Sequence, residues 1–380
     1  MKEYSLVIAS NFLDHYMLSL SNALKEYFPE FCFVASEKLE EGYQKLGFSD
    51  LNQKDFVVRA YEDKEKAKQI VMDADIVITG SYACQEHIRS RRKAGKPIIY
   101  YSERLFKTDN GFLNFLRYIK YNLRHGKDIN APLLCVSGYA AGDYNSIGLF
   151  KDRTYQFGYF PEVKRYEDID MMISEKKKDS LIWAGRLIEW KHPDHALFVA
   201  KRLKEEGYSF SMEMIGNGEM KDELHSLIRE YGLEEHVTMY DSGMAPEEVR
   251  KHMEASEIYL FTSDRGEGWG VVLNEAMNSA CACVASYSAG STPFLVKDEE
   301  NGCIYRNEDT EELYRKVRDL FDHEEKKRTM AKNAYRSISE QWNCTVAAKR
   351  IYAMCDRIMT GKSYSDLYED GILSRALPLE

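Results

Sequence analysis

Glu267 and Glu275 stand eight positions apart with a glycine-punctuated turn between them, Glu267-Gly-Trp-Gly-Val-Val-Leu-Asn-Glu275. An ionised carboxylate accepts hydrogen bonds from two vicinal hydroxyls at once, so the pair suits a polyhydroxylated group. Upstream, residues 257–263 (Glu-Ile-Tyr-Leu-Phe-Thr-Ser) read as a buried strand, and downstream the turn opens a helix through Ala276, Met277 and Asn278. A strand feeding a Gly-rich turn and then a helix aims free backbone N–H groups at whatever lies above the turn, which favours a diphosphate. Phosphates and hydroxyls together point to a nucleotide-sugar.

Two further strand ends carry related chemistry. Trp183-Ala-Gly-Arg186-Leu-Ile-Glu-Trp-Lys191 places two fixed cations after a strand. Arg forks onto two phosphate oxygens, whereas Lys supplies a point charge. Cations held there act most strongly as a diphosphate leaves and gains charge, so they favour the transition state over the ground state. Met214-Ile-Gly216-Asn217-Gly218-Glu219 also follows a strand and precedes a helix. Taken alone, the cations read as surface residues of a loop and the Gly-x-Gly as a tight turn. Three such strand-end loops in one domain argue for a shared site.

The elements that must position these residues alternate along 380 residues, a length that suggests two domains. Residues 5–10, 32–36, 57–60, 76–79, 98–101 and 133–137 read as strands, with a helical pattern over 14–28 and others between. Alternation implies a parallel sheet with helices on both faces. The charged stretch around Glu162 to Lys178 reads as an interdomain linker. A second alternation follows. Its strands are expected at 180–184, 211–215, 237–240, 258–262, 282–286 and 303–305, with Asn301-Gly302 as a turn between strands. The expected fold is α/β: a Rossmann-like domain over 1–162, a linker at 163–178, a second Rossmann-like domain over 179–345, and a helical tail over 346–380 that crosses back to the first domain. The two doubly wound sheets are expected to face each other across a cleft, with ligands beyond the carboxyl ends of the strands.

Composition narrows the class. The chain is 44% hydrophobic and 30% charged, as in ordinary soluble proteins, and its net charge of −10 argues against general nucleic-acid binding. The eight cysteines form no Cys-x-x-Cys pair and read as reduced core residues of a cytoplasmic protein. No run approaches the roughly 18 apolar residues of a membrane span, and the first ten residues read as a strand, not a signal peptide.

Residues from about 180 to 345 resemble the donor-binding domain of the retaining glycosyltransferases of family 4, which have the GT-B fold. The resemblance rests on Gly185-Arg186 with Lys191, Ile215-Gly216-Asn217-Gly218, the acidic pair Glu267 and Glu275, Glu275-Ala276-Met277, Glu300-Asn301-Gly302 and Gln341-Trp342. It implies a hexosyltransferase of polysaccharide or glycoconjugate biosynthesis that uses a UDP- or GDP-sugar as substrate and needs no further cofactor. By position, Glu267 would bind hydroxyls of the transferred sugar and Glu275 the ribose. Arg186 and Lys191 would bind the diphosphate, with the amides of Gly270, Val271 and Val272 completing its cradle. Gly268 and Trp269 would line the sugar pocket. Retention would proceed by front-face attack without a covalent nucleophile, and the Arg and Lys imply transfer without a metal.

The chain departs from the family pattern in several places. Ala280 and Ala282 stand where Gly and Pro are usual, changes expected to alter packing only, and Pro293-Phe294 replaces a common Pro-Glu. The N-terminal Gly-Gly loop is replaced by Asn11-Phe-Leu-Asp14-His15-Tyr16, and a customary His by Tyr101-Ser102-Glu103-Arg104. His15 and Glu103 are therefore candidates for contacting the acceptor, whether a sugar, a lipid-linked or a small molecule. Asp73-Ala-Asp75 and Asp168-Ile-Asp170 have a metal-binding form but read as solvated acids. Residues 104–127 carry six Lys or Arg and one acid among many aromatic and aliphatic side chains. They read either as a helix lying on an anionic bilayer at the inner membrane face or, preferably, as one whose apolar face packs on the first domain. The other functional readings are a nucleotide-sugar epimerase of the same architecture and an inactive transferase-like partner subunit. A dinucleotide dehydrogenase is disfavoured, because Gly266-x-Gly268-x-Gly270 lacks the third glycine's spacing.

Overall fold

A computed structural model of the protein describes residues 2–39, 50–107, 111–125, 130–241, 243–306 and 309–379. The chain divides into two units, Met1–Glu162 with Trp342–Glu380, and Val163–Gln341.

The first unit is built on seven parallel strands: β1 (Leu6–Ser10), β2 (Phe31–Ala35), β3 (Val57–Arg59), β4 (Ile76–Thr79), β5 (Ile98–Ser102), β6 (Leu133–Cys135) and β7 (Thr154–Gln156). Their order is β3-β2-β1-β4-β5-β6-β7. β1 and β4 are buried along their whole length, as strands covered on both faces must be. Leu6 stands opposite both Phe31 and Ile76, which sets the register on either side of β1. Helix α1 (His15–Lys25) turns Met17, Leu20 and Leu24 inward at helical spacing. Asp14 starts it by accepting the Met17 N–H at 2.7 Å. Helices α2 (Lys64–Asp73), α3 (Gln85–Lys93), α4 (Gly111–His125) and α5 (Ala140–Ser146) follow.

The second unit repeats the plan with six parallel strands: β8 (Lys177–Ala184), β9 (Ser211–Ile215), β10 (Val237–Tyr240), β11 (Ser256–Phe261), β12 (Ala282–Ser286) and β13 (Cys303–Tyr305), in the order β10-β9-β8-β11-β12-β13. Its helices are α6 (Ile169–Ser174), α7 (Pro193–Glu205), α8 (Lys221–Glu230), α9 (Pro246–Ala255), α10 (Val271–Asn278), α11 (Thr292–Leu295), α12 (Thr310–Asp322) and α13 (Glu324–Arg336). Leu181, Leu197, Leu260, Val284 and Leu313 form the middle of its core. Helix α14 (Cys344–Met359) belongs to the first unit, as the expectation of a tail crossing back required. The chain after it pairs with β7: Leu373 N–H donates to Gln156 O at 2.7 Å and Gln156 N–H to Ser374 O at 2.8 Å.

Several expectations need correction. The stretch read as a linker, 163–178, is folded into the second unit, where it forms α6 and the start of β8. Lys176 is buried there, and its ammonium donates to the carbonyls of Met253, Glu254, Ser256 and Ser279 at 2.8–3.0 Å. Burial drives its pKa down, and four acceptors offset the lost hydration. Asn301-Gly302 does lie in a turn between β12 and β13, but the two strands run parallel. Of the aspartates read as solvated, Asp73 and Asp168 are exposed and Asp170 is about half exposed, as expected, whereas Asp75 is structural. Asp75 accepts from the Ser5 N–H and hydroxyl, Asp168 caps α6, and Asp170 pairs with Lys332. Ala280 takes a left-handed φ of 50°, so the change there is one of backbone as well as packing. Helix α4 reverses the preferred reading and turns its apolar face outward. Residues 108–110, 126 and 127 of that basic stretch lie outside the described residues. No described helix is long and apolar enough to cross a membrane.

Candidate functional site

In the second unit the strand order reverses between β8 and β11, the place where open α/β sheets form a crevice at their carboxyl ends. The loops leaving these strands carry the residues that the sequence singles out. Gly185 N–H donates to Ile215 O at 3.0 Å and Leu187 N–H to Asn217 O at 2.9 Å, lacing the loop after β8 to the loop after β9. Gly216 lies at the closest approach. A Cβ there would stand 1.8 Å from Gly185 O, so no side chain fits. The junction between the two loops therefore demands this glycine, while Asn217 is exposed beside it.

A single turn, Glu189–Lys191, then presents Lys191. It is fixed from below. The Trp183 indole N–H donates to Thr262 Oγ1 at 2.8 Å, the Thr262 hydroxyl donates to Lys191 O at 2.6 Å, and Asp264 N–H donates to Trp190 O at 2.9 Å. The Lys191 ammonium is thereby brought onto the Glu267 carboxylate, which also accepts from Ser263 Oγ at 3.1 Å. Lys191 and Glu267 keep only 13% and 10% of their side-chain surface exposed. Water screens such a pair weakly, so its charges act strongly on any group placed beside them. Arg186 is exposed. Its guanidinium carbon lies 5.4 Å, and the Lys191 ammonium 4.9 Å, from the centre of the Trp190 ring, which both cations share.

Gly270 caps α10 in the left-handed region, φ +88°, so the chain reverses sharply from the end of β11 into the helix. The amides of Val271 and Val272 are in the first turn, where backbone donors have no partner within the helix. The loop after β12 pins this turn: Gly290 N–H donates to Glu267 O at 3.3 Å and Ser291 N–H to Trp269 O at 3.1 Å, with Gly268 buried between those carbonyls. The Trp269 ring is 1% exposed and its indole N–H donates to Asn274 Oδ1 at 2.8 Å. It packs beneath the turn, so Trp269 offers a ligand its backbone only. Glu275, further along α10, is partly buried. Burial pushes its carboxyl pKa up, against the opposing pull of Arg250 on α9.

The first unit has its own site. A cavity of about 390 Å³ lies at the carboxyl ends of β1, β4 and β5, on its own reversal of strand order, and Asp14, Tyr101, Glu103, Arg104, Arg124 and Tyr159 line it. Glu103 accepts from Tyr159 Oη at 3.0 Å and from Lys107 Nζ at 2.6 Å. Tyr101 Oη lies 2.7 Å from Ser10 Oγ. Of the two residues expected to meet an acceptor, Glu103 is at this cavity, whereas His15 is exposed on the first turn of α1 and does not line it. Asp14 takes the place foreseen for His15. A carboxylate directly after the β1 loop was the available signal.

Burial pushes the Asp14 pKa up to about 6 from an ordinary 3.8. The folded value lies above the unfolded one. The resulting stabilisation is full below pH 3.8 and is lost as pH rises through 6, where the fold must hold a charge it disfavours. Asn caps helices as well as Asp does. Asp14→Asn is therefore expected to stabilise the protein by about 1–2 kcal/mol at pH 8 and by nothing at pH 4. Chemical denaturation at the two pH values checks this.

With this geometry in place, residues 165–337 match the family described as glycosyl transferases group 1. The match coincides with the second unit and covers less than half of the chain. The chain is 28% identical over 207 residues to an uncharacterized glycosyltransferase, MJ1069, of Methanocaldococcus jannaschii, covering 52% of this chain and 51% of that protein. It is 29% identical over 201 residues to N-acetylgalactosamine-N,N'-diacetylbacillosaminyl-diphospho-undecaprenol 4-alpha-N-acetylgalactosaminyltransferase of Campylobacter jejuni, covering 50% of this chain and 52% of the relative. The chain thus spans about half the length of the curated relatives it matches. Among solved structures, Anabaena Alr3699/HepE in complex with UDP aligns with a TM-score of 0.71 over 93% of this chain and all of that one, at 16% identity. At such identity the likeness is one of fold: two parallel-sheet α/β domains, the pair found in GT-B glycosyltransferases.

Proposed function

We propose that the protein is a glycosyltransferase of glycoconjugate or polysaccharide biosynthesis. It moves a sugar from a UDP- or GDP-sugar to an acceptor with retention of configuration and without a metal ion. The observation that carries this reading is the Lys191–Glu267 pair at the reversal of strand order, beside the Gly270-capped start of α10. One donor can span both charges, with its diphosphate on the ammonium and a sugar hydroxyl on the carboxylate. The family match over the same residues supports it, as do the UDP named for the Anabaena structure and the diphospho-undecaprenol substrate named for the Campylobacter relative.

In this reading, Lys191, Arg186 and the first-turn amides of α10 hold the diphosphate, and Glu275 accepts from the ribose hydroxyls. The bond from the anomeric carbon to the diphosphate oxygen breaks while the acceptor oxygen bonds to that carbon from the same face. The acceptor's proton passes to the departing diphosphate. Charge that grows on the leaving group is met by cations already in place. The Asp-x-Asp motifs take no part in this reading: Asp75, Asp168 and Asp170 are engaged by hydrogen bonds or an ion pair, and Asp73 is exposed. The first unit's cavity, with its phenols and the carboxylates of Asp14 and Glu103, accepts hydroxyls of the acceptor.

A thermal-shift panel of UDP, GDP, ADP and their sugar conjugates tests the donor. Glu275→Ala is expected to abolish the nucleotide shift. Glu267→Ala is expected to spare it and to remove only the increment added by the sugar. Glu275 must be ionised to accept two hydroxyls, and its pKa is raised in the free protein. Nucleotide affinity therefore holds above that raised pKa and falls as pH is lowered through it. Glu275→Gln should flatten this dependence. If no nucleoside diphosphate shifts the melting temperature, the reading is wrong.

A further inference from the structure

Helix α4 is built inside out. Phe112, Leu116, Ile119 and Leu123 recur at intervals of four, three and four, which makes one stripe along a helix. That stripe faces solvent: the four side chains are 70%, 45%, 39% and 79% exposed. The polar side is turned to the protein instead. Arg124 Nη2 donates to Gly80 O at 2.7 Å, His125 is buried with its ring edge-on to Tyr100 at 4.5 Å, and Tyr121 and Arg124 reach the cavity of the first unit. Of the nine exposed large hydrophobic residues among those described, seven lie on this one helix. A patch of that kind marks a surface meant to be covered.

Charge says what covers it. The chain carries a net charge of −10, yet α4 has no acid and three cations, Arg117, Lys120 and Arg124. Arg92 of α3 donates to the Arg124 carbonyl at 2.7 Å, which brings the exposed Arg89 and Lys93 alongside. The outward apolar face of α4, in an acidic protein, is thus rimmed with positive charge. A second copy meeting this face with its own α4 would set cations against cations. An anionic lipid surface offers acyl chains to the stripe and phosphates to the rim.

We propose that α4 docks the protein on an anionic phospholipid bilayer, with Phe112, Leu116, Ile119 and Leu123 among the acyl chains and Lys120, Arg89 and Lys93 at the headgroups. The same helix lines the cavity of the first unit, so docking brings that cavity to the lipid surface, where a membrane-anchored acceptor would be met. The inference goes beyond the transfer reading and stands without it.

The test is co-sedimentation of the full chain with vesicles of phosphatidylcholine, with and without about 30% phosphatidylglycerol to supply an anionic surface. Binding to the anionic vesicles is expected to be at least tenfold tighter and to weaken with salt. The double variant Leu116→Ser, Leu123→Ser should lose binding at least tenfold while keeping its melting temperature and its nucleotide shift, because both side chains are exposed. Loss of vesicle binding with the nucleotide shift intact separates this proposal from the transferase reading. Equal binding by the double variant, or no binding to anionic vesicles, overturns the proposal. So does light scattering that shows a concentration-dependent dimer dissolved by the same substitutions.

Discussion

Lys191→Met is expected to lower the transfer rate by about 10²–10³-fold, the loss usual when one preorganised charge facing a developing anion is removed. The variant also leaves Glu267 with its Ser263 hydrogen bond but without its cation, in a place with little water. Breaking a fully buried pair costs about 3–5 kcal/mol. Some exposure remains here, so about 1–3 kcal/mol is expected, read as a lower melting temperature. The two effects separate in a second variant. Lys191→Met with Glu267→Gln removes the stranded charge and should recover most of the stability, while activity stays low because neither group is left for the donor. If Lys191→Met keeps its rate within threefold, Lys191 does not face the leaving group, and the mechanism proposed for this site fails with it.

The strand-end loops at 185–191 and 267–275 were legible because strand, glycine turn, charge and helix are contiguous in the chain. What joins them was not. Lys191 meets Glu267 only because Trp183, Thr262 and the Lys191 carbonyl form a hydrogen-bonded chain across two strands, and no spacing encodes that. Burial of polar side chains was the other blind spot. The charged stretch at 163–178 has the composition of a solvated linker, yet Lys176 is interior because four carbonyls converge on its ammonium. Asp14 was legible as a helix start, but its place at the cavity required the positions of β4 and β5. Trp269 follows a glycine in a binding turn and was expected to line the sugar pocket, but its ring is buried and its indole N–H is held by Asn274. For α4 the periodicity gave two faces and no sign. An amphipathic pattern is the same whichever face meets water, and the interior of the first unit selected the polar one. β7 is Thr154-Tyr155-Gln156, with no apolar run to mark it, whereas the equally short β3, β6 and β13 lie in apolar stretches and were legible.

Gly270→Ala is expected to be strongly destabilising. Its φ of +88° lies where a residue with a Cβ pays about 1–2 kcal/mol. The added Cβ would also stand 2.3 Å from the Phe261 ring and 3.1 Å from Glu267 Cγ, and relieving such overpacking typically costs a further 1–3 kcal/mol. The sum is about 2–5 kcal/mol. The route of relief has a functional consequence. Phe261 ends β11 in the core, so the movable partner is the start of α10, and shifting it displaces the amides and Glu267 together. Nucleoside diphosphate affinity should fall at least tenfold along with stability. Gly95→Ala is the control: it has a similar φ, +67°, but nothing within 4 Å of the added Cβ, so it should show the strain without the clash. A cycle with Phe261→Leu isolates the contact, since the smaller side chain makes room and should reduce the cost of Gly270→Ala by about 1 kcal/mol or more. Strict additivity in that cycle would mean that the turn does not rest on Phe261, and the coupling between the end of β11 and the donor cradle would have to be sought elsewhere.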